Sequence, residues 1–145
     1  MRERSRARGW ALQALYAWEM RGAEPETALR VLHDLAEDLR VSQENRFFAE
    51  VLVRIVSREQ SRLDRLIQDQ LANWRLERLS VIDRNILRVG AAEFLFVDDV
   101  PVRITIREML LLGERYSTPE SPRFLNGVLD AIARHAAPEK VAEGG

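Results

Sequence analysis

The sequence predicts an all-α protein, and three observations carry that prediction. Apolar residues recur at i, i+3, i+4 and i+7 in nearly every segment. The one stretch that alternates like a strand, Val102, Ile104 and Ile106, has no second strand to pair with. No internal repeat or low-complexity linker divides the chain. The expectation is a compact bundle of about seven helices, forming a single domain over residues 1–136 with a basic N-terminal arm over 1–8 and a flexible tail over 137–145.

Ala11, Ala14, Leu15 and Trp18 define a first helix, and Gly22 stands where a C-terminal stop belongs. Pro25 suits the first turn of a second helix, whose stripe runs through Ala28, Leu32, Leu35, Ala36 and Leu39. Ser42 is placed to cap a third, with Phe47, Phe48, Val51, Leu52 and Ile55 inward. Polar Ser57 to Gln60 interrupts the pattern before Leu63, Leu66, Ile67 and Leu71 resume it, so two helices with a break near 57–61 are expected. Ser80-Val81-Ile82-Asp83 reads as a capping box with Asp in the usual Glu position, opening a helix with Ile82, Ile86, Val89, Gly90 and Phe94 inward. Asp98-Asp99-Val100-Pro101 breaks the chain, because the residue before a proline is pushed away from helical angles. Met109 to Leu112 assign the following segment to a helix. Ser121-Pro122 caps and opens the last one, with Phe124, Val128, Ala131 and Ile132 inward. Gly127 within it is expected to mark the close approach of another helix, since glycine there costs about 1 kcal/mol against alanine.

Composition removes several function classes. The absence of cysteine excludes disulfides, thiolate zinc sites and cysteine nucleophiles, and makes the cytoplasm the default location. No apolar run approaches the roughly 20 residues of a membrane span. The charged start is followed by Gln13, Tyr16 and Glu19 where a secretion signal needs an apolar core. His33 and His135 lack metal-site spacing, and the glycines form neither a dinucleotide nor a Walker loop. Carboxylates such as Glu59 and Asp64 lie beside Arg62 and Arg65, as on a solvated ion-pair face. No catalytic residue, metal or cofactor is therefore expected.

Charge is distributed unevenly around a net of −1. Arg2, Arg4, Arg6 and Arg8 face only Glu3 at the N-terminus, whereas residues 22–45 are strongly acidic. An arginine-rich segment there can follow a phosphate backbone with forked donors, or be a solvated frayed terminus. Gln13 and Tyr16 fall off the first helix's apolar stripe, as do Trp10 and Leu12, for which a second buried face is favoured.

Ala11-Leu12-Gln13-Ala14-Leu15-Tyr16 after the arginines, Asp83-Arg84-Asn85-Ile86-Leu87-Arg88 running to Glu93, Asp99-Val100-Pro101, Glu108, and Arg123-Phe124-Leu125-Asn126-Gly127-Val128-Leu129-Asp130 occur in an order that resembles the NusB family of bacterial transcription antitermination factors. The resemblance spans residues 4 to about 134. It implies two packed helical subdomains without catalytic activity. It also implies pairing with NusE, a small-subunit ribosomal protein, and binding of boxA-type single-stranded RNA in ribosomal RNA leader transcripts. RNA polymerase in the resulting antitermination complex then resists termination. The residues that correspond to the family's RNA contacts are Arg4, Arg6, Arg8, Tyr16, Arg88, Phe124 and Asn126, to which the first-helix reading adds Gln13. Asp83 and Arg84 either contact NusE or cap and decorate their own helix. Gln70 stands where some members carry an aromatic, and Trp74 is either core or a replacement stacking surface, with core favoured. Phe124 begins an apolar stripe yet lies in a first turn, so core and stacking roles compete, with stacking favoured. Whether the free protein forms a homodimer stays open.

Two other classes compete with that function. A NusB-like domain also precedes RNA cytosine methyltransferase domains, where it docks RNA; the chain length disfavours this. A protein-interaction bundle without RNA binding is the third, supported by the net charge of −1.

Overall fold

The computed structural model describes residues 2–144; Met1, Gly145 and the side chain of Arg2 lie outside the described residues. Eight α-helices and no strands occur among the described residues: α1 (Arg2–Met20), α2 (Ala28–Asp38), α3 (Gln43–Arg58), α4 (Gln60–Asp69), α5 (Val81–Phe96), α6 (Val102–Tyr116), α7 (Ser121–Ala136) and α8 (Pro138–Gly144). They form two compact units, Met1–Glu59 and Gln60–Gly145.

In the first unit α1 buries Ala7, Ala11, Leu12, Ala14, Leu15 and Trp18 against α2 and α3. The predicted stop at Gly22 is present, with φ +106°, and Trp18 Nε1 donates to Glu24 O at 2.7 Å to pin the reversed chain. The N-terminal arm expected over residues 1–8 is not an arm, because helix α1 already begins at Arg2. On α3 the predicted stripe is rotated. Phe47 is 69% exposed, while Arg46 is buried and donates through Nε and Nη2 to Val41 O at 2.9 and 2.6 Å.

In the second unit α5 packs against α4, α6 and α7, and every residue from Asn85 to Phe94 is buried. Half of the predicted capping box is present: Asp83 N donates to Ser80 Oγ at 3.1 Å, but the Asp83 carboxylate, instead of reaching back to Ser80 N, accepts from Ser117 Oγ and Ser121 Oγ. Pro101 terminates the break, and Val102, Thr105, Met109 and Leu112 repeat at helical spacing into the core, so the alternating segment is helix. Ser121 does not cap α7; Glu120 holds that position, and Ser121 Oγ instead donates to Asp83 Oδ2 at 3.0 Å. The tail expected to be loose is a short helix. Lys140 Nζ donates to Glu93 O at 3.1 Å and Val97 O at 2.7 Å, satisfying carbonyls at the end of α5. Burial pushes this lysine's pKa below its ordinary value, against the opposing pull of Asp98, Glu93 and Asp99.

The close helix approach predicted at Gly127 occurs elsewhere. Nothing lies within 4 Å of where a Gly127 Cβ would stand, whereas one on Gly90 would meet Leu129 Cδ2 at 2.6 Å and one on Gly113 would meet Leu125 Cδ1 at 2.8 Å. Gly90→Ala should therefore destabilise by about 1–3 kcal/mol through overpacking, and Gly127→Ala should stabilise by about 0.4–1 kcal/mol by restricting the unfolded chain. Urea unfolding of the two variants checks the opposite signs.

Candidate nucleic-acid interface

At about 100° per residue, Arg6, Gln13 and Tyr16 fall within one arc of α1, and Arg4 and Arg8 fall on the opposite side. Tyr16 is 41% exposed, Arg6 is exposed and Gln13 partly so. Arg6 makes no hydrogen bond or ion pair among the described residues, leaving a forked cation directed at solvent. Arg8 is corrected. It is 1% exposed, and its guanidinium lies 5.3 Å from the centroid of the Phe48 ring, where Arg4, partly exposed, lies at 4.4 Å. Stacking on an aromatic face compensates part of the cost of burying a guanidinium. Arg8 thus belongs to the core of the first unit, and the alternating arginines divide between a packed side and a solvent side.

In the second unit Phe124 is partly buried at the opening of α7, and Asn126 is exposed two residues on. Phe124 lines an open groove of about 470 Å³ with Gln70, Glu120, Arg123, Gly127 and Val128. It also lines a smaller one of about 230 Å³ with Trp74 and Leu79. The groove therefore combines an aromatic face at Phe124, a cation at Arg123, the Gln70 amide and the Glu120 carboxylate, groups suited to stacking, phosphate and base-edge contacts with a single strand. Arg123 lines this groove and is not among the residues singled out from the sequence, where its only signal is its position between Pro122 and Phe124. Trp74, favoured as core, is 59% exposed. Its loop is held by Gln68, whose Nε2 donates to Trp74 O and whose Oε1 accepts from Leu76 N, both at 2.8 Å.

Three other assigned residues are engaged inside the second unit. Arg88, 4% exposed, pairs in bidentate fashion with Asp64, Nε to Oδ1 at 2.7 Å and Nη2 to Oδ2 at 2.9 Å, and Nη1 donates to Asn85 Oδ1 at 3.1 Å. An RNA phosphate has no access to that guanidinium, so its assignment as an RNA contact is corrected. Asp83 accepts from Ser117 Oγ at 2.7 Å and Ser121 Oγ at 3.0 Å. Arg84 Nη1 donates to the carbonyls of Leu76, Glu77 and Leu79 at 3.3, 3.2 and 3.0 Å. For Asp83 and Arg84 these bonds favour the capping and bracing role over partner contact. No group of three or more His, Asp or Glu side chains is placed to hold a metal among the described residues, and no helix there is long and apolar enough to cross a membrane.

The model of the NusB family matches residues 5–134. The chain belongs to the NusB family. A relative from Desulfatibacillum aliphaticivorans, transcription antitermination protein NusB, is 40% identical over 150 residues, covering 99% of this chain and 98% of its own. Its namesake from Nocardioides sp. is 38% identical, covering 93% and 96%. Among solved structures, T. maritima NusB is similar with a TM-score of 0.87 at 36% identity, over 97% of this chain and 96% of that one. A structure of antitermination factors NusB and NusE in complex with dsRNA is similar with a TM-score of 0.83 at 28% identity, over 93% and 98%.

Within this NusB-family fold, Arg88→Ala separates packing from recognition. Breaking a buried pair costs roughly 3–5 kcal/mol, and the 26% exposure of Asp64 places this one toward the lower end. Denaturant unfolding should show that loss, while RNA titration of the folded variant should give wild-type affinity.

Proposed function

We propose that this chain is a cytoplasmic transcription antitermination factor that binds RNA jointly with NusE. In this reading it engages a boxA-type single-stranded element of ribosomal RNA leader transcripts and helps RNA polymerase resist termination, with no catalytic step of its own. The observation that carries the reading is the family match over residues 5–134, and the similarity to the NusB of a NusB–NusE–RNA complex supports it. The exposed chemistry agrees. Arg6, Gln13 and Tyr16 on the first unit, and Phe124, Asn126 and Arg123 on the second, offer cations, amides and aromatic faces. Arg4 supplies part of a guanidinium edge.

The charge balance shapes how such binding works. A chain with net charge −1 attracts a polyanion weakly, so a partner that contributes its own basic surface should supply much of the affinity. Titration calorimetry with boxA-type RNA should show binding at least about tenfold tighter when NusE is present, and by linkage RNA should tighten NusE binding by the same factor. Equal RNA affinity with and without NusE would contradict the reading.

Arg6→Ala should lower affinity for all RNA sequences and reduce the slope of log K against log salt by about 0.7, the loss of one single-strand phosphate contact. Tyr16→Ala should cost about 1–3 kcal/mol of RNA binding with little change in melting temperature. Anisotropy titrations at three or more salt concentrations, paired with thermal melts, measure both.

A further inference from the structure

The loop between α4 and α5 holds Trp74 out in solvent, 59% exposed, on a braced backbone. Gln68 fixes its carbonyl and the next turn, and Arg84 gathers the carbonyls of Leu76, Glu77 and Leu79. A large aromatic presented on a pre-organised loop loses little conformational freedom when it is covered. With Phe124 and Leu79 it walls a slot of about 230 Å³. The slot opens to solvent, so a flat ring laid against the Trp74 face can enter it.

The polar rim of the slot is unequal. Asp83 has one oxygen on Ser117 and the other on Ser121, and Thr118 Oγ1 lies 3.0 Å from Ser121 Oγ. Glu120, also on the rim, is exposed, and its carboxylate has no hydrogen-bond or ion-pair partner among the described residues. The neighbouring groove, which shares Phe124 and Glu120, carries the exposed Arg123. A stacking face, an available pair of acceptor oxygens and a nearby cation for phosphate thus converge on one open slot.

We propose that the Trp74–Phe124 slot takes one unpaired guanine of the bound RNA, stacked on Trp74 with its Watson–Crick edge against the Glu120 carboxylate. Guanine is the base whose edge presents two adjacent donors, N1–H and the 2-amino group, which match the two oxygens of a carboxylate. Adenine and cytosine each present one amino donor beside a ring-nitrogen acceptor, and uracil flanks its single imino donor with two carbonyl oxygens. A carboxylate repels those acceptors as well as phosphate, so it discriminates against the wrong base rather than adding general affinity. The assignment rests on the RNA-binding reading above and deepens it by naming the base.

The test uses the full chain with NusE and oligouridines of about ten nucleotides, within the usual single-strand site size, carrying one central guanine, inosine, adenine or cytosine. Fluorescence anisotropy should show the guanine oligonucleotide bound about tenfold tighter than the inosine one, which lacks only the 2-amino group. Trp74→Ala should weaken the guanine oligonucleotide roughly 5- to 150-fold and Trp74→Phe much less, both with an unchanged melting temperature. Glu120→Gln should abolish the preference for guanine without weakening the adenine oligonucleotide. The assignment is overturned if the preference survives Glu120→Gln, or if Trp74→Ala binds guanine normally. It also falls if Trp74→Ala impairs NusE binding alone, which would make the slot a protein contact. A wild-type chain that binds every oligonucleotide equally removes the guanine assignment only; one that binds none, even with NusE, removes the RNA-binding reading with it.

Discussion

Every residue of α5 from Asn85 to Phe94 is buried, and a helix enclosed on all sides has nowhere to send a polar side chain except into another part of its own unit. Arg88 reaches Asp64 on α4, and Glu93 accepts from Thr105 Oγ1 on α6 at 2.7 Å. Just outside the enclosed run, Asp83 holds the turn before α7 through two serines, Arg84 collects the carbonyls of the preceding loop, and Lys140 of α8 covers the last carbonyls of the helix. The consequence is complete satisfaction: no buried side-chain nitrogen or oxygen lacks a partner among the described residues. Since removing one member of a buried pair leaves the other uncompensated, these bonds act as registration marks for α4, α6, α7 and α8 around one axis.

That constraint explains where the sequence was readable and where it was not. Helical periodicity, the Ser80 cap and the proline break at 101 are local signals, and each lies where it was expected, whereas the Asp83 half of the capping box is diverted to Ser117 and Ser121. Side-chain destinations are not local. Arg88 and Arg8 look like surface cations, yet Asp64 lies 24 positions away in the chain from the first and Phe48 is on another helix from the second. Gly90 lies on the inward stripe of its helix and Gly127 off the stripe of its own, yet the presence of a glycine does not by itself say which one a neighbour crowds; the packing of Leu129 against Gly90 makes that one obligatory and leaves Gly127 open. Trp74 reads as core by residue type, and its exposure follows from the Gln68 bracket, which periodicity does not encode.

Once the buried polar residues are assigned to architecture, a smaller and chemically coherent set is left at the surface. Arg6, Gln13 and Tyr16 share one side of α1, and Arg123, Phe124 and Asn126 open α7 beside Trp74. The motifs that carry the family resemblance contain both sets, since a motif does not distinguish side chains that pack from side chains open to solvent; burial does. The exposed set joins rigid aromatic faces to isolated guanidinium groups, a combination that suits an irregular single strand better than a regular duplex groove.

In the function proposed above, RNA meets these exposed side chains while the polar residues of α5 remain internal. Ultraviolet crosslinking of boxA-type RNA to the chain in the presence of NusE, mapped by mass spectrometry, tests it most directly. Crosslinks are expected at Tyr16, Phe124 or Trp74 and none between Asn85 and Glu93. Crosslinks concentrated within that buried run, or confined to the acidic helix α2, would contradict it.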